Sequence, residues 1–228
     1  METITINEPT TEPLLLLTPE SKTILIKKDT TATIITQGKT TITINLQTGA
    51  TLHYYHITNE ENSNLDVRQE INLLGTNATA TIINLLYGKN QDHSKVHTII
   101  EHLAEHTTST IINRGILKGK AHNTTTGAII ITKQATKAIG HQDMKTIILE
   151  EAQAYNLPEL AISTNDVQCS HASSVGQIDQ EQLFYLQSRG LTTTEATTTI
   201  IEGFYEPILQ TLPEQARTYI KQHLKERP

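Results

Sequence analysis

Residues Thr41–Leu46 read TITINL: threonine and isoleucine alternate, and Asn45 and Leu46 keep the same beat. Alternating polar and apolar residues, many of them β-branched, are the pattern of a pleated strand with one buried face. The beat recurs outward in both directions. Upstream lie Thr3-Ile4-Thr5-Ile6, Thr23-Ile24-Leu25-Ile26 and Thr33-Ile34-Ile35; downstream lie Thr81-Ile82-Ile83, Thr110-Ile111-Ile112, Ile116-Leu117 and Ala128-Ile129-Ile130-Ile131. Asp29, Gly38, Gly49, Gly75 and Gly88 punctuate the gaps. Many short strands with few helices between them fit a sandwich, a barrel or a solenoid. The abundance of Thr, Ile and Asn, with no Trp and 4% aromatic residues, favours a β-solenoid, where equivalent aliphatic side chains stack coil upon coil. No single fixed period runs through the chain.

Two stretches resist the pattern. Leu14–Leu17, bounded by Pro13 and Pro19, is long enough only for a buried strand or a turn. In Met144–Asn156, Ile147-Ile148-Leu149 suits a strand and Glu150–Ala154 suits a helix, with Pro158 expected to end either one.

After about Gln177 the period becomes helical. Asp179 is a helix cap, Leu183 and Leu186 form an apolar face, and Gly190 is the stop. Thr192 and Glu195 have the spacing of a capping box, followed by Ala196, Ile200, Ile201 and Phe204, with Pro207 as an interruption. Thr211 and Glu214 form a third box ahead of Ala216, Ile220 and Leu224. The expected organisation is a β-solenoid over 1–176 and a helical tail over 177–228.

Composition removes several classes of function. A chain of 228 residues buries a proper core as one domain, or one domain with an appendage. Its 18 basic and 24 acidic side chains leave a net charge of −6, a poor surface for tracking nucleic-acid phosphates. No apolar run approaches a membrane span, and METITINEPT lacks the features of a signal peptide, so a cytoplasmic protein with no nucleic-acid or membrane partner is expected. One cysteine excludes an internal disulfide and a four-thiolate metal site within one chain.

Several short motifs carry little. His102-Leu-Ala-Glu105-His106 matches an inverted zinc-protease signature, but that chemistry needs a helix, and on a strand the two rings would lie about 13 Å apart. Gly115–Lys120 (GILKGK) has the wrong spacing for a phosphate loop, and Ala121 stands where a Mg²⁺-binding hydroxyl belongs. His53–His56, His93, His97 and the pair Glu150-Glu151 read as strand or surface residues.

Cys169 and His171 are different. On an extended segment, residues i and i+2 project to one face. A thiolate beside an imidazole makes a soft/borderline pair suited to iron or zinc. Two ligands do not complete a site, so the remainder must come from elsewhere; the competing reading is a small buried thiol beside a packed histidine.

Read whole, Asp166–Phe204 (DVQCSHASSVGQIDQEQLFYLQSRGLTTTEATTTIIEGF) resembles the C-terminal signature of the SufB/SufD family, on its SufD side, whose pattern is close to DDVxCSHGATVGxLDxExLFYLxSRGI. Ala172-Ser173-Ser174 replaces the pattern's Gly-Ala-Thr. Weaker similarity at His102, Ser109, Gly115–Leu117, Gly127, Gln142 and Pro158–Leu160 extends the resemblance upstream to about Glu101. The helical N-terminal domain common in the family is not found ahead of the first strands. The resemblance implies a right-handed parallel β-helix whose C-terminal end pairs with a SufB-type subunit or a second copy. It implies that the helical tail docks a SufC-type ATPase, and that the assembly builds Fe–S clusters held transiently between subunits, with no catalysis by this chain. His171 is then the ligand candidate, with Cys169 beside it. Gly176 would turn the chain into the tail, Phe184 and Tyr185 would pack the first helix on the solenoid end, and Arg189 would bond free carbonyls or an acidic partner. The readings from other classes are a β-helix enzyme acting on polysaccharide, for which rings and a secretory signal are lacking, and a purely structural interaction protein.

Overall fold

The computed structural model describes residues 3–16, 21–58, 64–212, 214 and 217–218. Numbered in chain order, the fourteen strands among the described residues alternate between two parallel sheets. The first sheet holds β1 (Thr3–Ile6), β3 (Ser21–Ile26), β5 (Thr40–Leu46), β7 (Asn64–Leu73), β9 (His93–His102), β11 (His122–Ile131) and β13 (Gln153–Ile162). The second holds β2 (Leu14–Leu16), β4 (Thr31–Gln37), β6 (Thr51–Ile57), β8 (Thr79–Gly88), β10 (Thr108–Leu117), β12 (Ala138–Ile148) and β14 (Val167–Gly176). Each coil adds one strand to either sheet, and the molecule is a two-faced parallel β-solenoid followed by helices α1 (Gln180–Ser188) and α2 (Thr193–Leu209).

The TITINL stretch behaves as its alternation demands. Ile42, Ile44 and Leu46 are buried between the sheets, while Thr41 faces water. In-register pairing then stacks like on like: Ile24 lies beside Ile44, Ile44 beside Ile71, and Tyr54 beside Ile82, which lies beside Ile111. Each fully buried aliphatic side chain contributes about 1.5–3 kcal/mol.

The pitch explains why no fixed period is visible in the sequence. Thr3 pairs with Thr23 and Ser21 with Thr41, twenty residues on. Asn64 pairs with His93 and His93 with His122, twenty-nine on, and His122 pairs with Gln153, thirty-one on. The coil lengthens midway through the chain, so a search at one spacing loses half of the molecule.

Three local expectations are corrected. Met144–Asn156 contains no helix: β12 ends at Ile148, Glu150 takes a left-handed turn conformation (φ 61°), and β13 starts at Gln153. Pro158 sits within β13, which tolerates it because β13 is the last strand of its sheet and the missing N–H removes no bond to a further strand. Leu14–Leu16 forms an edge strand with Leu15 exposed instead of a buried one; Leu17 and Pro19 lie outside the described residues.

The tail follows its caps. Asp179 accepts hydrogen bonds from the backbone of Glu181 and Gln182, and Gly190 (φ 97°) follows the C-cap of α1. Thr192 and Glu195 complete the capping box of α2, and Pro207 falls inside that helix's last turn instead of breaking it. The residues of the third box's apolar face, Ala216, Ile220 and Leu224, lie outside the described residues. One face of α2 covers the outer surface of the second sheet, where Tyr205, Ile208 and Leu209, with Leu212 just beyond the helix, pack with Ile35, Tyr55, Ile57 and Ile83. The Tyr205 hydroxyl donates to the Leu86 carbonyl at 2.8 Å. Arg114 is nearly buried there, with Nη2 2.5 Å from Asp143 Oδ2 and the guanidinium 5.9 Å from the centre of the Phe204 ring.

Candidate functional site at the open end of the solenoid

β13 and β14 are the final strands of their sheets, so each has a neighbour on one side only. β14 runs in register on β12, with Gly140 opposite Cys169 and Gln142 opposite His171. Partners in a parallel register share a face. Ala138, Gly140, Gln142 and Met144 are all buried between the sheets, so Val167, Cys169, His171 and Ser173 face the same way, into the last coil. Among the described residues no further coil covers them: Cys169 is half-buried and His171 exposed. The sequence-level expectation that both side chains share a face therefore holds in the structure.

Their surroundings differ. Cys169 packs against the main hydrophobic cluster. A Cβ on Gly140 would stand 3.3 Å from Cys169 Sγ and 3.1 Å from Ile129 Cγ2, so the absent side chain makes room for the thiol. Burial pushes the Cys169 thiol up from its ordinary pKa, partly opposed by a backbone hydrogen bond from Gly140. Below His171 in register, buried Gln142 donates from Nε2 to the Glu159 carbonyl at 2.7 Å, bridging to β13. Its Oε1 is buried without a hydrogen-bond partner. Asn156 Nδ2 donates to the Ser174 carbonyl at 3.2 Å and ties β13 to β14.

The rim is apolar and aromatic. Tyr155, Leu157, Ile162 and Val175 are exposed on the two last strands. Phe184 and Tyr185 of α1 are 71% and 56% exposed, and α1 buries no residue at all. This corrects the expectation that Phe184 and Tyr185 pack α1 onto the solenoid end: α1 leans on α2 instead and leaves its rings in water. Arg189 lies over the Tyr185 ring at 5.1 Å. Gly176 ends β14 with open space where a side chain would stand, so neither crowding nor backbone conformation demands glycine there.

The remaining sequence motifs are structural. His102 ends β9 and is fully buried, with Nδ1 2.7 Å from Thr107 Oγ1 and Nε2 2.8 Å from Ser109 Oγ. Burial lowers its pKa to about 4. His106 sits in the following turn with φ 57°, so the two imidazoles are not on a helix and do not form a zinc pair. Gly115–Leu117 belongs to β10 and Gly119 to a turn, not to a phosphate loop. His53–His56 lies on β6, and His56 is buried with Nδ1 2.9 Å from Thr36 Oγ1. Among the described residues, no three His, Cys, Asp or Glu side chains converge as a metal site.

The structure is thus a two-sheet parallel solenoid whose last described coil carries the Cys169 thiol and the His171 imidazole on its inner face. The chain belongs to the SufBD core family: the family model for the SUF system FeS cluster assembly SufBD core domain matches residues 39–204. The chain is 32% identical over 143 residues to the iron-sulfur cluster assembly protein SufD of Bacillus subtilis (strain 168), covering 62% of this chain and 33% of the relative. It is 33% identical over 134 residues to SufB of the same organism, covering 58% and 29%. A SufBD family protein of Mycobacterium tuberculosis (strain CDC 1551 / Oshkosh) is 27% identical over 142 residues, 62% of this chain and 17% of that protein. The chain thus spans a third or less of the length of these relatives, and SufD and SufB stand almost equally near it. No helix among the described residues is long and apolar enough to cross a membrane.

Proposed function

We propose that this chain is a non-catalytic scaffold subunit of a SUF-type iron–sulfur cluster assembly complex. In this reading the solenoid (1–176) pairs through its open end with a SufB-type subunit or a second copy. The tail (177–228) docks a SufC-type ATPase, and His171, with Cys169 beside it, supplies part of the ligand set for a nascent cluster, the cargo of the assembly. The observation that carries the reading is the inward-facing, exposed position of His171 on the uncovered last coil. Family membership and the exposed rings of α1 support it.

Imidazole and thiolate are suitable iron donors, and a partner chain is the natural source of the donors that this end lacks. A thiol whose pKa is raised by burial is a poor free nucleophile, but metal ligation deprotonates it. Cys169's contact with the core favours a second role for that residue alone, as packing under His171.

The test is co-expression of the chain with a SufC-type ATPase and a SufB-type partner, followed by anaerobic reconstitution and measurement of complex mass, iron and sulfide. Iron and sulfide should co-purify with the complex and fall in His171→Ala while its mass is unchanged. A complex that assembles normally and takes up no iron, or a His171→Ala complex loaded like wild type, overturns the proposal. If Cys169→Ala loads normally while His171→Ala does not, the thiol is packing.

A further inference from the structure

The outer face of the first sheet carries a feature that the cluster reading does not use. His93 on β9 and His122 on β11 are register partners, one coil apart and pointing outward. Their rings lie 5.7 Å apart, centre to centre, at 34°, and the ring of Tyr155, in register with Thr124, lies 5.5 Å from that of His122. His93 is exposed and His122 half-buried. Both line a groove of about 220 Å³ with Asn64, Asp66, Lys95 and Thr124.

We propose that His93 and His122 form a second, outward metal site, which takes a divalent first-row transition ion of borderline softness with water completing its coordination. The argument rests on geometry and donor chemistry. Two imidazoles on adjacent strands are fixed at the sheet's own spacing of about 4.8 Å, so the backbone has already met most of the entropic cost of bringing them together. Metal–nitrogen bonds of about 2.0–2.1 Å keep two ligating nitrogens within roughly 4.2 Å of each other. Rings 5.7 Å apart reach that separation by side-chain rotation, which the open groove permits. Imidazole suits zinc, iron, nickel and copper over magnesium or calcium.

Asp66 lines the groove but is paired with Arg68 at 3.4 Å and does not converge with the two imidazoles as a third ligand, which leaves the other positions to water. The Lys95 ammonium lines the same groove and opposes a cation there. The site is independent of His171: it lies on the outer face of the first sheet, whereas His171 faces inward from the second.

The test is titration of the full chain with Zn²⁺, and with Co²⁺ for its visible spectrum, in a Cys169→Ala/His171→Ala background so that the open end contributes no ligand. One equivalent should bind with a nitrogen-ligand Co²⁺ spectrum. His93→Gln and His122→Gln should each weaken binding by roughly tenfold or more, the scale on which metal sites respond to loss of a supporting group. Lys95→Gln should tighten it by removing the opposing charge, and His106→Asn, on a remote turn, should leave it unchanged. Circular dichroism of each variant checks the fold. Zn²⁺ affinity indifferent to both His93 and His122 overturns the proposal. Because the background lacks His171, this result and the cluster-loading result fail separately.

Discussion

At the scale of single residues, buried histidines set an acid limit on stability. Burial lowers the pKa of His56 to about 3 and of His102 to about 4, both from 6.5. Between those values the unfolded chain holds protons that the folded chain does not, so acid favours unfolding. The contribution is complete above pH 6.5 and is lost as pH falls toward each folded pKa, at about 1.4 kcal/mol per pH unit per histidine. At pH 5 each group should therefore have cost about 2 kcal/mol relative to pH 7.5. Urea unfolding between pH 4.5 and 7.5 checks this: His56→Leu and His102→Leu should each flatten the slope, whatever they do to stability at pH 7.5. An unchanged slope would assign acid sensitivity to other groups.

The same scale shows what the sequence disclosed. Cys169 and His171 are legible as a pair because their relation is local, two residues along a strand. Gly140, which makes room for the thiol, and Gln142, which lies under the imidazole, are not legible as their partners. Both stand twenty-nine residues away, and that spacing holds only in some of the later coils. The Arg114–Asp143 ion pair has the same separation and escapes a sequence reading for the same reason. Comparing the chain with itself at that offset brings out all of these pairs, and His93–His122 with them.

At the scale of elements, alternation predicts the strands and capping chemistry predicts the helices, but neither tells where a helix will lie. The rings of α1 have the character of packing residues, which places the helix on the solenoid end; in the structure α1 buries none of its residues, and it is α2 that packs on a sheet. The junction between elements is equally exacting. A Cβ on Gly75 would stand 2.0 Å from the Thr48 backbone nitrogen, a group that cannot swing aside. Gly75→Ala should therefore cost at least about 1–3 kcal/mol, the usual range for overpacking, read as a lowered urea midpoint with an unchanged slope. Within a strand, Ile82→Ala, which empties a fully buried position between Tyr54 and Ile111, should cost about 2–5 kcal/mol.

At the scale of the whole molecule, α2 and the second sheet depend on each other. Ile35, Tyr55, Ile57 and Ile83 are buried in one cluster with Tyr205, Ile208 and Leu209 of the helix. Deleting residues from Gln177 onward should leave the strands folded but lay open this apolar patch. The truncated chain should then bind a hydrophobic dye strongly and associate beyond the state that the full chain adopts. A truncated chain that keeps the full chain's assembly state and stays dye-negative would show that the helix is dispensable to the solenoid.

The lengthening coil has a further consequence. Strands grow from six or seven residues in β3 to β6 to ten in β13 and β14, so the last coils are broader than these earlier ones. Bare parallel edges invite fibre growth. A ten-residue edge finds its full complement only in another of equal breadth, which strands of six or seven residues do not offer. On the pairing proposed above, a broad end would close on a broad end in preference to endless head-to-tail polymerisation.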